Sequence, residues 1–139
     1  MSSFYHVGLV VPRLEPAMQE LGAVLQTGWM DITEREIGDW TLRLVFARSG
    51  PPFMELIEGL AGSPWDASDG PHVHHLGWWV ADRAADRGRL AGLGLRPVVD
   101  GGAIGSVFDY YDAPHSGLRI EFVDEAFRTA FLQRWGLPQ

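Results

Sequence analysis

His6-Val7-Gly8-Leu9-Val10-Val11 returns 69 positions later as His75-Leu76-Gly77-Trp78-Trp79-Val80, with His, Gly and the apolar filler in register. A second echo sits at an offset of 66, where Met54-Glu55-Leu56-Ile57-Glu58 reappears as Ile120-Glu121-Phe122-Val123-Asp124. Offsets this close describe one module written twice, with short loop deletions making up the difference.

Each copy reads as strand, helix and three strands. Module 1 (1–58) opens with a β-rich run over 4–11, passes Pro12, and continues as a helix with Pro16 near its first turn and Met18, Leu21 and Leu25 on one face. Strands are predicted over 29–37, 40–47 and 52–58. In the second of these Trp40, Leu42, Leu44 and Phe46 alternate with Thr41, Arg43 and Val45, the mark of a half-buried strand. Residues 59–71 are dense in turn formers and read as a linker. Module 2 (72–124) repeats the order: strand 73–80, a helix capped by Asp82 with Ala85, Leu90 and Leu93 inside, and short strands near 95–99, 106–111 and 118–123. In the tail 125–139, Phe127, Phe131 and Trp135 recur every fourth residue, predicting a short helix that covers the sheet.

The composition agrees with a single domain over 1–139. At 139 residues, 46% hydrophobic and 12% aromatic, the chain can bury a core without staples. Eleven Lys+Arg against eighteen Asp+Glu leave a charge of -7 with no basic run, which excludes a phosphate-backbone binder and hence a nucleic-acid partner. The lack of cysteine removes disulfides, thiolate zinc sites and Cys nucleophiles, and fits the cytoplasm. Met1-Ser2-Ser3-Phe4-Tyr5-His6 has no signal-peptide character, and no apolar stretch is long enough for a bilayer, so no membrane partner is expected.

Side chains alternate across a strand. In 6–11, His6, Gly8 and Val10 therefore share one face and Val7, Leu9 and Val11 the other; in 75–80, His75, Gly77 and Trp79 oppose Leu76, Trp78 and Val80. The last strands split as Phe53, Glu55 and Ile57 against Met54 and Leu56, and as Arg119, Glu121 and Val123 against Ile120 and Phe122. Each module thus presents one His and one Glu on the face away from its helix. A carboxylate inside an apolar strand costs several kcal/mol unless paired, protonated or bound to a cation. His6, Glu55, His75 and Glu121 form a mixed N/O set suited to one divalent metal ion (Mn, Fe, Co, Ni or Zn), and six-coordination would leave two positions open. Gly8 and Gly77 are expected to keep room above it.

This arrangement resembles the vicinal oxygen chelate superfamily, which includes glyoxalase I, methylmalonyl-CoA epimerase, extradiol dioxygenases and bleomycin-type resistance proteins. The resemblance covers nearly the whole chain. It implies an α+β fold of two βαβββ modules forming a curled mixed sheet, an open cup with helices on the outer face, and it carries the family's metal ligands onto His6, Glu55, His75 and Glu121. The opening His6-Val7-Gly8-Leu9-Val10-Val11-Pro12 and the stretch Gly117-Leu118-Arg119-Ile120-Glu121-Phe122 are most similar to the epimerase and glyoxalase branches. Glu15-Pro16-Ala17-Met18-Gln19-Glu20-Leu21 lacks the aromatic pair of typical glyoxalase I, which argues against glutathione chemistry.

The expected function is that of a metal-dependent isomerase, epimerase or lyase, moving a proton next to a metal-bound carbonyl or enolate oxygen of a small-molecule substrate. Glu121 is the first candidate base and Glu55 the second. The alternative is a binding module that sequesters a drug or metabolite; an extradiol-type dioxygenase ranks third, because a fourth ligand would obstruct O2 and catechol. Arg119 is a candidate for holding a substrate carboxylate or phosphate, or equally a structural partner for a nearby acid. Trp79 and Phe53 are candidates for an apolar wall, and one of Tyr110 and Tyr111 is expected to reach the cup. His72 and His74 read as structural or solvated, with His74 pointing away from His75. Gly-x-Ser-x-Gly is absent, and Gly101-Gly102-Ala103-Ile104-Gly105 reads as a loop. An exposed sheet edge leads to the expectation of a homodimer.

Overall fold

Strand β1 (Ser3–Val11) leads into helix α1 (Leu14–Leu25), followed by β2 (Thr33–Ile37), β3 (Trp40–Phe46) and β4 (Phe53–Glu58). The same order returns as β5 (His72–Val80), α2 (Arg83–Gly92), β6 (Val99–Asp100), β7 (Phe108–Ala113) and β8 (Leu118–Asp124), and α3 (Arg128–Arg134) ends the chain. The structure, a computed structural model, describes residues 3–138. Strands run β2-β3-β4-β1 in the first module and β5-β8-β7-β6 in the second. In each, the first and last strands pair in parallel and the others antiparallel. The fold is α+β with two βαβββ modules, and the repeat is visible in the register: Gly8 faces Glu55 as Gly77 faces Glu121, and Val11 faces Glu58 as Val80 faces Asp124. Contacts divide the chain at His75, so that Tyr5–His75 is one compact unit and the chain from Leu76, with Phe4, the other. Among the described residues no helix is long and apolar enough to cross a membrane.

In the first unit α1 packs on Val11, Val45 and Leu56 through Leu14, Ala17, Met18 and Leu21, with Leu9, Met54 and Trp29 around them. Leu25 does not join this core. It is the helix's last residue and half exposed, and the chain turns off at Gln26, which adopts a left-handed conformation (φ 52°). Trp29 closes that end instead, its indole N–H donating to the Met18 carbonyl at 3.0 Å. The N-terminus of α1 has no cap from its own side; Leu14 N–H donates to Glu58 Oε2 at 3.0 Å, while Arg43 clasps Glu58 and reaches Glu15 at 2.6 Å. The strand expected over 29–37 starts only at Thr33, Trp29 making an isolated bridge to Ala47.

The second unit packs its helix differently. Asp82 caps α2, accepting from Ala85 N–H at 2.9 Å, but Ala85 and Leu93 are exposed and only Leu90 is buried. A charged cluster takes the expected apolar face's place. Asp109, 1% exposed, accepts from Arg87 Nη2 at 2.7 Å and from Gly101 N–H at 3.0 Å, with Arg83 Nη1 at 3.4 Å, while Arg87 also holds Asp100 at 2.9 Å. Burial first, then the Asp109 charge, push the Tyr111 hydroxyl pKa up. Removing one partner of a buried ion pair leaves an uncompensated charge, so Arg87→Met should lower unfolding stability by about 3 kcal/mol. Urea denaturation checks this; an unchanged midpoint would mean that Gly101 and Arg83 satisfy Asp109 alone. The strand expected near 95–99 shrinks to Val99–Asp100, because Pro97 offers no ladder donor. In the tail the buried anchor is Leu132 rather than Phe127, which is 44% exposed.

Candidate metal centre

β1 and β4 set His6 opposite Phe53 and Gly8 opposite Glu55, and β3 adds Phe46 opposite Glu55. With Leu9, Val11, Met54 and Leu56 turned to α1, alternation puts His6, Gly8, Phe53 and Glu55 together on the opposite face. His75, at the end of the first unit, meets them there. The residues are buried: His6 2%, His75 2% and Glu55 6% exposed. Their Nε2 atoms are 2.8 Å apart, and Glu55 Oε1 lies 3.5 Å from His6 Nε2 and 3.3 Å from His75 Nε2. Two ligands about 2.1 Å from one ion and at right angles stand about 3 Å apart, a spacing the three observed edges bracket. Two imidazoles and a carboxylate, desolvated together, are a donor set for a divalent transition metal, and the residues fit the ion the sequence implied.

The surroundings hold the donors in place. The His6 ring stands edge-on to Tyr5 (4.2 Å between centroids) and to Phe46 (5.7 Å), and Tyr5 also meets Phe53. Gly8 was expected to leave room above an ion. The space is filled: a Cβ there would fall on the His75 ring, against Cε1, Nε2 and Nδ1. His74 was expected to turn away from His75, yet its Nδ1 lies 2.8 Å from His75 Nδ1 and its Nε2 lies 2.7 Å from the Pro64 carbonyl. Parity separates neighbouring Cβ atoms, but two imidazoles on adjacent residues can still reach each other around the strand. The 59–71 linker contributes as well. Trp65 is fully buried within it, near the rings of Trp40 (5.8 Å) and His74 (6.5 Å). Sequence reading assigned no part at the site to Tyr5 or Trp65, and Phe46 and His74 entered only as one face of an alternating strand and as a structural or solvated histidine.

In the second unit Glu121 is 7% exposed, between Gly77 on β5 and Tyr110 on β7. Arg119, on the same face, forms a two-pronged bond with Asp112 (2.8 and 3.1 Å), and its guanidinium lies 5.9 Å from the Tyr110 ring centroid. The Asp112 hydrogen bonds raise the Arg119 pKa over the opposing effect of burial. Tyr110 and Tyr111 are both buried on opposite faces of β7, Tyr110 paired with Glu121 and Tyr111 with Ile120 beside the Phe122 ring. Trp79 is 5% exposed and packs on Phe131 of α3 at 6.2 Å. His115 is exposed in the turn before β8, and His72 is exposed with Nδ1 at 3.0 Å from the Gly70 carbonyl.

Residues 5–110 match the family described as the glyoxalase/bleomycin resistance protein/dioxygenase superfamily, and the chain belongs to it. No curated protein matches the sequence. Among solved structures, methylmalonyl-CoA epimerase from Mycobacterium tuberculosis is 22% identical, with a TM-score of 0.66 over 92% of this chain and 91% of that one. A variant of methylmalonyl-CoA epimerase from Streptomyces coelicolor, in complex with 2-nitronate-propionyl-CoA, is 20% identical with a TM-score of 0.70, covering 88% of this chain and 93% of that one. A variant of 4-hydroxymandelate synthase from Streptomyces coelicolor is 18% identical with a TM-score of 0.64; 88% of this chain matches 48% of that one. At these identities the likeness is one of fold.

Proposed function

We propose that this chain is a metal-dependent isomerase, epimerase or lyase that moves a proton at a carbon next to a carbonyl group of a small molecule. The observation that carries the reading is the buried His6–Glu55–His75 cluster, with donor atoms 2.8 to 3.5 Å apart. His6, His75 and Glu121 are buried residues that can each offer one ligand atom, and Glu121 is the register partner of Gly77, two residues along β5 from His75. His6, Glu55, His75 and Glu121 would hold one divalent ion. When bound, the ion supplies positive charge that acidifies a C–H adjacent to a carbonyl.

The other steps belong to the protein. Glu121 takes the proton from carbon and returns it, with Glu55 the second choice. Phe53, Trp79 and Tyr110 exclude water around the reacting carbon, while Tyr111 stays with Arg87 and Asp109 on the helix side. Arg119, already clasped by Asp112, fits an anionic group only if it exchanges that partner. We place the protein in the cytoplasm, in keeping with the absence of cysteine. A homodimer is retained as part of the reading, but not through β2, whose exposed Glu34, Arg35 and Glu36 disfavour edge pairing.

The test is deuterium uptake from D2O at the α-carbon of carbonyl compounds, with methylmalonyl-CoA the first probe because two of the similar folds act as its epimerase. The expected result is metal-dependent exchange that Glu121→Gln lowers at least 100-fold without loss of fold, the usual scale for a positioned acid or base. Ligand binding without exchange across the panel would overturn the enzyme reading in favour of a sequestering protein. Oxygen uptake with ring cleavage would overturn it in favour of a dioxygenase.

A further inference from the structure

The proton positions around His75 can be worked out from one end. The Pro64 carbonyl has no proton to give, so the 2.7 Å contact to His74 requires a proton on His74 Nε2. A neutral His74 then carries a bare Nδ1, and the 2.8 Å contact between the two Nδ1 atoms needs exactly one proton between them, which His75 must supply. In a neutral His75 the Nε2 is then a lone pair, facing His6 Nε2 at 2.8 Å and Glu55 Oε1 at 3.3 Å. In the metal-free chain the 2.8 Å contact between the two Nε2 atoms is completed by a proton on His6 Nε2.

We infer that His74 is a positioning residue for the metal centre: it passes a fixed hydrogen-bond direction from the Pro64 carbonyl to His75 and so holds His75 in the tautomer whose Nε2 can ligate an ion. The inference rests on the metal reading for its purpose, though the tautomer itself does not. Several features suit the role. The His75 side chain is fully buried, so no solvent competes for its Nδ1. Pro64 is held by its neighbours: Trp65 is fully buried, Leu60 N–H donates to the Trp65 carbonyl at 2.8 Å, and Trp65 N–H donates to Ser63 Oγ at 3.0 Å. Ligating histidines ordinarily give their second N–H to a carboxylate, a carbonyl or water, which fixes the ring and strengthens it as a ligand. Here another imidazole stands in that place and hands the connection on to a carbonyl. The 59–71 segment therefore serves the site through its backbone.

The experiment has two arms. In metal-free protein, long-range 1H–15N spectra read each imidazole nitrogen as protonated or bare; expected are His75 protonated on Nδ1, and His6 and His74 protonated on Nε2. In the second arm, zinc alone is titrated against a chromophoric chelator. His74→Phe keeps a ring but cannot accept, and should weaken zinc binding by about 10–100-fold. His74→Asn, whose side-chain oxygen can take the Nδ1 role, should restore most of that loss. A His75 protonated on Nε2 in the wild-type spectrum would overturn the inference without any variant needing to fold. Zinc affinity unchanged in a folded His74→Phe would overturn it too. A wild-type chain that binds no zinc, yet shows the expected His75 tautomer, would overturn the metal reading and leave the relay standing.

Discussion

His75→Ala should purify without divalent metal, where the parent chain prepared without chelators is expected to retain one ion per chain. His75 Nε2 takes part in two of the three donor contacts, 2.8 Å to His6 and 3.3 Å to Glu55, so its loss leaves one nitrogen and one carboxylate of the first unit 3.5 Å apart. With Glu121 that leaves one imidazole and two carboxylates, a donor set expected to hold a transition metal too weakly to keep it through purification. Alanine also empties a fully buried ring and removes the partner nearest the Glu55 carboxylate. A cavity of that kind, added to an under-satisfied buried carboxylate, should cost the metal-free fold about 3 kcal/mol. Elemental analysis reads the first effect and urea denaturation the second. His72→Ala is the control, since His72 lies exposed on the same strand and should change neither. Full metal occupancy in His75→Ala would remove His75 from the ligand set, and the proposed chemistry with it.

Which strand residues share a face was legible in the sequence because strand alternation is strictly two-fold. Once the His-x-Gly echo had set the phase, each module's His and Glu fell on one face of their strands; that Gly8 lies opposite Glu55 and Gly77 opposite Glu121 is what the register adds. The α+β modules were legible for the same reason, the order of elements being written twice. The packing of α2 was not. Arg83 and Arg87 look like a solvated helix face, and nothing local in the sequence shows that Asp109 waits beneath them fully buried. Alternation also misled at His74: it states which side of a strand a Cβ leaves from, not how far an imidazole can bend back toward its neighbour. Trp65 was hidden by its surroundings, since Gly, Ser, Pro and Asp on every side make 59–71 read as solvent-facing turn, while the indole reaches the first unit's interior.

The close approach of Gly8 and His75 leads to the other large effect, that of Gly8→Ala. Its backbone lies outside the left-handed region, so alanine meets no torsional strain there, and the consequence is steric alone. A single methyl group would occupy the space of the His75 ring, reaching within 2.7 Å of Nδ1 and closer to Cε1 and Nε2. The ring cannot swing aside freely, because His74 holds its Nδ1 and His6 faces its Nε2. Either the imidazole is pushed off its position or β1 moves away from it, at a cost of about 1–3 kcal/mol for overpacking. Metal ligands tolerate displacements of only about 0.2 Å, so the donor is lost before the fold is. Zinc affinity should fall about 100-fold, the penalty typical of a group misplaced by an ångström. Far-ultraviolet circular dichroism should stay that of the parent. Coupling to His75 has its own readout: in the double variant Gly8→Ala/His75→Ala the methyl group has nothing to strike, so the extra alanine at position 8 should cost no further stability. A Gly8→Ala chain that binds zinc as tightly as the parent would show that His75 and the ion do not share the space the glycine leaves.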